Sequence, residues 1–515
     1  MLRSSQGEQV YIGNIAAISF LQFLQTTLKR YIGTSVFTER HESNVMLELE
    51  ISRNNSPFED DLDVVEKQSF IQCFMRASNG ILHLFSRDDI SRLLNIKADV
   101  ANLSPSSQSH REDLACLFLM IAIGAQSRGK DLLEIQVAKK YFAQAQQMAF
   151  LGMLESPSLS MVKLFLLMAM YMLGACRRNT AFMYLAIASK SATILGLHVP
   201  YQHSWVSSEE RAARRRIWMS SRVLDLLCSA ILARPSSTPS IERDEYEIDS
   251  SNPEDLDHRT LALYATYESS SIIETIVKKF AKSSSVDIQS ADTYLQMLRE
   301  WSHALPSALR NVPGPASESD YGESAHLMVE LCYEAYLSDI LLGNMCILKA
   351  WIFSAGLVLG FSLLVESKIP THINECFDHS CILLKKLARL SPQAEQYHDI
   401  LCRFRTAIDL YRQQFLKALQ ENNNKYVEKI MTIGSFNRAP REGNSSTELQ
   451  SQLQLVPTTE QPIFEELEGQ GCFAETYATD FFGLENEIQM YDAQIGYDTG
   501  VAADLRWLCY AAGPS

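Results

Sequence analysis

The chain has 515 residues, 46% hydrophobic and 21% charged, which supplies apolar material for a sizeable core and excludes a disordered composition. Its formal net charge of −15 opposes contact with a phosphate backbone unless basic residues cluster on one face. With only 22 glycines and 16 prolines, a turn-rich β architecture is excluded, and the expected fold is all-α, a multi-helix regulatory body with antiparallel helix packing.

Met1 to Val10 is polar and lacks the apolar run of a leader. Tyr11 to Leu28 places Ile15, Ile18, Phe20, Leu21 and Leu24 along one side of a short helix. Asn54 to Asp63, polar and acidic around Pro57, is expected to be a linker, and Leu103 to His110 a loop. Residues 1–60 are therefore assigned to an N-terminal segment and 61–420 to a helical domain. Within that domain Leu114 to Ala125 is almost continuously apolar and stops near Gly129, and Leu132 to Leu151 follows as a run of good helix formers. Ser156-Pro157-Ser158 breaks the chain and caps Leu159 to Leu173, which is apolar on nearly all sides and so belongs in the core. Gly174, Arg177 and Arg178 suit the end of that helix. Thr180 to Leu195 comes next, with Gly196 as its stop.

Ser207 and Glu210 make an S-x-x-E capping box ahead of a long helix with Ile217, Leu224, Leu227, Cys228 and Ile231 as its core stripe. Arg234-Pro235 ends it, since proline disfavours helix at the residue before it. Helical patterns return at Leu261 to Lys282, Asp287 to Ala304, Ser324 to Val365, Ile373 to Leu390 and His398 to Leu419. Ala350 to Val365 falls short of the ~20 residues needed to cross a bilayer and reads as a buried helix, so no membrane partner is expected. Residues 421–460, rich in Asn, Ser, Gln and Thr, are expected to be a disordered linker. In the tail at 461–515, reckoned from Glu460, eleven acids face the single Arg506, interleaved with Phe473, Tyr477, Phe481, Phe482, Tyr491, Tyr497 and Trp507. That is the composition of an activation segment that folds on contact with the transcription machinery or a co-regulator.

The eleven cysteines are scattered, with no C-x2-C pair, and form neither a disulfide framework nor a zinc site. His198 and His203 flank a turn at Pro200, without an acid or cysteine at ligand spacing. No cofactor and no metal site is therefore expected. No G-x-S-x-G, P-loop, G-x-G-x-x-G or H-E-x-x-H motif is present, so no catalytic residue is named and the chain is not read as an enzyme. The basic run Arg211, Arg214, Arg215 and Arg216 reads either as a nucleic-acid patch or, beside Glu209 and Glu210, as a helix start with charged side chains on a solvated face and one arginine buried against acid. Trp218, Arg222, Asp225 and Ser229 recur at helical spacing, with Arg222 and Asp225 able to meet at i, i+3. They form either a partner- or ligand-facing stripe or an interhelical polar network.

The block from Leu195 to Asp249 carries a resemblance. LGLH at Leu195 to His198 is followed by SSEERAARRRIWMSSRVLDLLCSAILARPSSTPSIERDEYEID from Ser207. This resembles the central regulatory domain of fungal zinc-cluster, six-cysteine transcription factors, in which a small-Gly-Leu-His turn precedes a helix with a basic run, a tryptophan, an aspartate seven residues on and a Gly-Arg-Pro end. The matching positions here are Arg214, Arg215, Arg216, Trp218, Asp225, Arg234 and Pro235; Arg222 lies among them, and Ala233 stands where glycine is usual. YIGNIAAISFLQ from Tyr11, AIGAQ from Ala122 and YFAQAQ from Tyr141 are similar to other parts of that domain, while His83 in ILHLFSRDDI sits in a looser match.

The resemblance implies a nuclear regulator of RNA polymerase II transcription. Its partners would be the transcription machinery or a co-regulator, a small effector and a second copy of the chain in a homodimer. It also implies zinc and DNA binding through an N-terminal cluster of two C-x2-C-x6-C runs. No segment here fits that cluster, so zinc and DNA contact are expected only through a missing module. The alternative is a truncated helical adaptor or inhibitor that pairs with full-length relatives without touching DNA.

Overall fold

Ser158 and Ser207, read as caps from sequence alone, both start helices, and the computed structural model shows how. It describes residues 2–3, 9–13, 16–39, 58, 60–96, 108–150, 156–199, 206–239, 257–282, 288–309, 323–342, 347–365, 371–389 and 391–435. Fourteen α-helices fall among the described residues, with one two-residue antiparallel pair, β1 (Leu2–Arg3) on β2 (Gln9–Val10). The fold is all-α.

α1 (Ala17–Ile32) buries Ile18, Leu21, Leu24 and Leu28. α2 (Val64–Ala77) and α3 (Arg87–Leu94) were not anticipated, though each opens on a full capping box, Asp63 with Glu66 and Ser86 with Asp89. The expected linker ahead of α2 is docked where it is described. Phe58 lies edge-on to Tyr141, Lys67 pairs with Asp60 at 2.6 Å, and Lys140 pairs with Asp61 at 2.7 Å.

α4 (Gln108–Arg128) and α6 (Leu159–Gly174) are buried on nearly every side. α5 (Leu132–Phe150) packs on α4 and α7 (Arg178–Ile194) on α6, each across a short connection that makes the pair antiparallel. Ser158 accepts from the Met161 amide, as its position in the sequence requires. The left-handed residue after α6 is Cys176 (φ 57°), not Gly174. Gly174 is instead kept small by the Gln126 amide, whose Oε1 lies 2.2 Å from where a Cβ would stand. The carbonyl of Gly174 accepts from buried Lys349 at 2.7 Å, a cation at a helix C-terminus.

α8 (Ser208–Leu232) packs against α7 and α9 (His258–Lys282). α10 (Ile288–Ala304) covers α9 through a small separate cluster in which Trp301 Nε1 donates to the Ala265 carbonyl at 3.0 Å. The continuous helix expected over Ser324 to Val365 is two helices, α11 (Glu323–Leu337) and α12 (Leu348–Val365). The chain turns at Asp339 (φ 55°), where the Ile340 amide returns to the Ala335 carbonyl at 3.0 Å.

α13 (Thr371–Ala388) and α14 (Pro392–Ser435) complete the body. α14 runs past residue 420 into the expected linker, because Glu421 to Ser435 contains no proline and its lone glycine, Gly434, lies at the very end. The rest of that segment and the tail at 461–515 lie outside the described residues.

One apolar core runs from Ala16 to Ile408. Arg178 donates to the Tyr397 hydroxyl at 2.7 Å inside it, joining α7 to α14. Among the described residues no helix is long and apolar enough to cross a membrane, and α12 is a core helix as expected.

Candidate functional site

α8 and its surroundings carry four groups of residues. The first is the basic run at its start. Ser207 accepts from the Glu210 amide at 3.2 Å, but the reciprocal half of the expected capping box is replaced: the Glu210 carboxylate pairs with Arg214 at 2.9 Å. Arg214, Arg215 and Arg216 are each half-buried, less solvated than expected for most of the run, and Arg214 takes the place of the one arginine expected to lie against an acid. Burial lowers the Arg216 guanidinium pKa, opposed by Asp257, Asp89 and Glu209. An arginine run neutralised by acids from its own and neighbouring elements leaves little positive potential for a phosphate backbone.

The second group surrounds His83, on the segment between α2 and α3, where α8 and α9 meet it. The His83 amide donates to Ser220 Oγ at 3.0 Å, and its ring Nδ1 lies 3.1 Å from Thr260 Oγ1. Thr260 has one hydroxyl proton, which the Asp257 carboxylate takes at 2.6 Å, so Nδ1 of the neutral ring carries the proton shared with Thr260. Arg259 closes the cluster by donating to Ser78 Oγ at 3.2 Å and to the Leu82 carbonyl at 3.0 Å. Burial lowers the His83 pKa to about 4, helped by the positive charges of Arg259 and Arg216.

The sign of the resulting pH dependence is definite. An unfolded histidine titrates near its ordinary value, ~6.5, while the folded one stays neutral down to about 4. Between those values the unfolded chain binds more protons, so stability falls as the pH drops. We expect wild type to lose roughly 2 kcal/mol more than His83→Gln between about pH 7.5 and pH 5. Chemical denaturation of both proteins at the two pH values checks this; equal losses would refute it.

The third group is the polar seam between α8 and α9. Arg222 is 1% exposed and Asp225 0%, but they do not form the i, i+3 pair expected from their spacing. Arg222 pairs with Glu274 of α9 at 2.9 Å, donates to the Pro239 carbonyl and sits over the Tyr267 ring. Lys278 meets the other oxygen of Glu274 at 2.8 Å. Asp225 Oδ2 accepts from both the amide and the hydroxyl of Thr238, each at 2.7 Å. The loop at 236–239 is thereby folded back onto the helix that precedes it. Burial raises the Asp225 carboxyl pKa, against the hydrogen bonds from Thr238. Beside these lie buried polar atoms without a hydrogen-bond partner: Trp218 Nε1, Ser221 Oγ, Asp225 Oδ1 and Ser229 Oγ.

The end of α8 is a clasp for the N-terminal segment. Ala233 adopts φ 48°, ψ 47°, the left-handed region, which explains why glycine suits that position in the resembling family. The Gly13 amide donates to the Leu232 carbonyl at 3.2 Å, and a Cβ on Gly13 would stand 2.2 Å from the Ala233 oxygen. Arg234 grips the Tyr11 carbonyl through Nη2 at 2.6 Å and Nε at 2.9 Å. It also lies over the Phe182 ring. Pro235 is exposed just beyond.

The structure thus brings Trp218, Arg222 and Asp225 into one buried seam, places Arg234 at the clasp, and leaves Arg214, Arg215 and Arg216 at the other end of the helix. The partners Glu274, Thr238 and Tyr11 were not anticipated. Thr238 was within reach of local reasoning, 13 residues from Asp225; Glu274 and Tyr11 carried no sequence signal. Among the described residues no group of three metal-ligating side chains forms at α8. His198 stands near Trp218, its ring 6.1 Å away, and His203 lies outside the described residues. Residues 54–306 match the family model described as the fungal specific transcription factor domain. No curated protein matches the chain.

Proposed function

Because this chain carries a fungal specific transcription factor domain over residues 54–306, we propose that it is a nuclear regulator of RNA polymerase II transcription. Its helical body sets the output of the acidic, aromatic segment 461–515 by contact with the transcription machinery or a co-regulator. The family match carries this reading, since the family is a transcription-factor domain and not a class of enzymes. Two physical observations support it. The net charge of −15 and the neutralised arginines of α8 suit a protein partner better than a bare duplex. The signature residues Arg222, Asp225 and Arg234 tie α8 to α9, to the loop at 236–239 and to the N-terminal segment. DNA contact belongs to a separate zinc-cluster module.

The test tethers the full chain to a neutral DNA-binding module at a reporter promoter. Transcription is expected to rise, and removal of residues 461–515 is expected to abolish the rise. A well-expressed fusion that leaves the reporter unchanged would remove the proposal. If the untethered chain instead represses a reporter driven by a full-length relative, the adaptor reading takes its place.

A further inference from the structure

Beyond the family-matched residues, α11 and α13 bring four ligating side chains together from two short runs, His326-x3-Glu330 and Cys376-x2-His379. Spacings of i, i+4 and i, i+3 put each pair on one helix face. His326 Nδ1 lies 2.7 Å from Cys376 Sγ, and Sγ lies 2.9 Å from Glu330 Oε1. The same Oε1 lies 3.1 Å from His379 Nδ1. Ligand atoms of His326, Glu330 and Cys376 all fall within 4.8 Å of one another. Cys376 is 1% exposed, while the Glu330 and His379 side chains keep 34% and 24%, enough for an ion to enter from solvent. The His379 ring is held in plane by stacking on Tyr333 at 3.7 Å, and His372 lies against the His326 ring at 5.3 Å.

We propose that His326, Glu330, Cys376 and His379 bind one zinc ion that ties α11 to α13. Two imidazoles, a thiolate and a carboxylate form a borderline-soft, four-ligand set that suits tetrahedral zinc. One thiolate and one carboxylate cancel the charge of the ion, so the site costs no uncompensated charge. Metal–ligand bonds of about 2.0–2.3 Å set tetrahedral edges of roughly 3.3–3.7 Å, so His326, Glu330 and Cys376 need open by about 0.5–1 Å, while the His379 ring, of the other three now beside Glu330 alone, turns in to complete the set. On binding, the Cys376 thiol loses its proton to water and a sulfur–zinc bond forms. The proposal stands on α11 and α13 and is independent of the role in transcription.

The full chain, stripped with a chelator, is titrated with cobalt(II) and then with zinc. One equivalent of cobalt is expected to give the visible bands of a tetrahedral site and a thiolate-to-cobalt charge-transfer band, all displaced by zinc. Cys376→Ser is expected to abolish the charge-transfer band, while Cys228→Ser, remote from the site, retains it. His326→Gln and His379→Gln, at half-buried positions, are each expected to weaken zinc binding by at least about tenfold with an unchanged circular dichroism spectrum. These two variants decide the matter if Cys376→Ser does not fold. Absence of the band in wild type, its survival in Cys376→Ser, or full affinity in both histidine variants overturns the proposal.

Discussion

Asp225→Ala is expected to destabilise the full chain by about 2–4 kcal/mol, whereas Asp225→Asn loses only a fraction of that. Asp225 Oδ2 is the acceptor for two buried donors of Thr238, which is itself 3% exposed. Truncation leaves an amide and a hydroxyl without a partner in a place water does not reach, at roughly 1–3 kcal/mol for each unsatisfied group. Alanine also leaves a void where the carboxylate stood, since Asp225 is wholly buried. Asparagine restores the acceptor.

The charge itself is not the stabilising element. The folded carboxyl pKa is raised by burial, so its contribution is fully present below the unfolded value and is lost as the pH rises through the folded one. Asp225→Asn should therefore compare best with wild type at neutral pH and less well in acid. Chemical denaturation of the three proteins at both ends of that range is the measurement. An unchanged midpoint for Asp225→Ala, with reporter output lost, would show that Asp225 faces a partner instead of holding the fold.

Gly124→Ala is expected to cost about 3 kcal/mol or more, and Gly124→Val to prevent accumulation of folded protein. α2 and α4 cross at Gly124 so closely that a Cβ there would lie 1.9 Å from the Phe70 carbonyl oxygen and 2.6 Å from its carbon. The obstacle is the backbone of a helix, which cannot swing aside as a side chain can. α4 cannot retreat either, because α5 and α6 pack against it. The gain in helix propensity from glycine to alanine, about 1 kcal/mol, is too small to offset the collision. Gly33→Ala provides the contrast. Gly33 sits at φ +73° with no atom within 4 Å of a Cβ, so only the left-handed backbone is penalised, at roughly 1–2 kcal/mol. Denaturation midpoints and the soluble fraction on expression separate the two; similar losses at both positions would contradict the close-crossing argument.

The sequence by itself determined that the protein is helical, where most helices begin and end, and which family its α8 block resembles. Those features are local. The Ser158 cap finds its amide three residues away, Gly196 takes the left-handed turn that stops α7, and the apolar run of α6 needs no particular partner to be buried. The boxes at Asp63 and Ser86 are equally local signals, each closed within three residues. The break at Asp339 was hidden because apolar periodicity continues across it and the left-handed residue that makes the turn is not a glycine.

Tertiary structure alone decided the polar pairing. Arg222 has an aspartate one turn away on its own helix, yet its carboxylate partner is Glu274, 52 residues on. His326 and Cys376 meet across 50 residues that contain a whole intervening helix. Inside a core, a charged or ligating side chain must satisfy itself with whatever the packing of helices brings within about 3 Å. The order of residues along the chain sets which face carries the group, while the crossing of two helices sets what it meets.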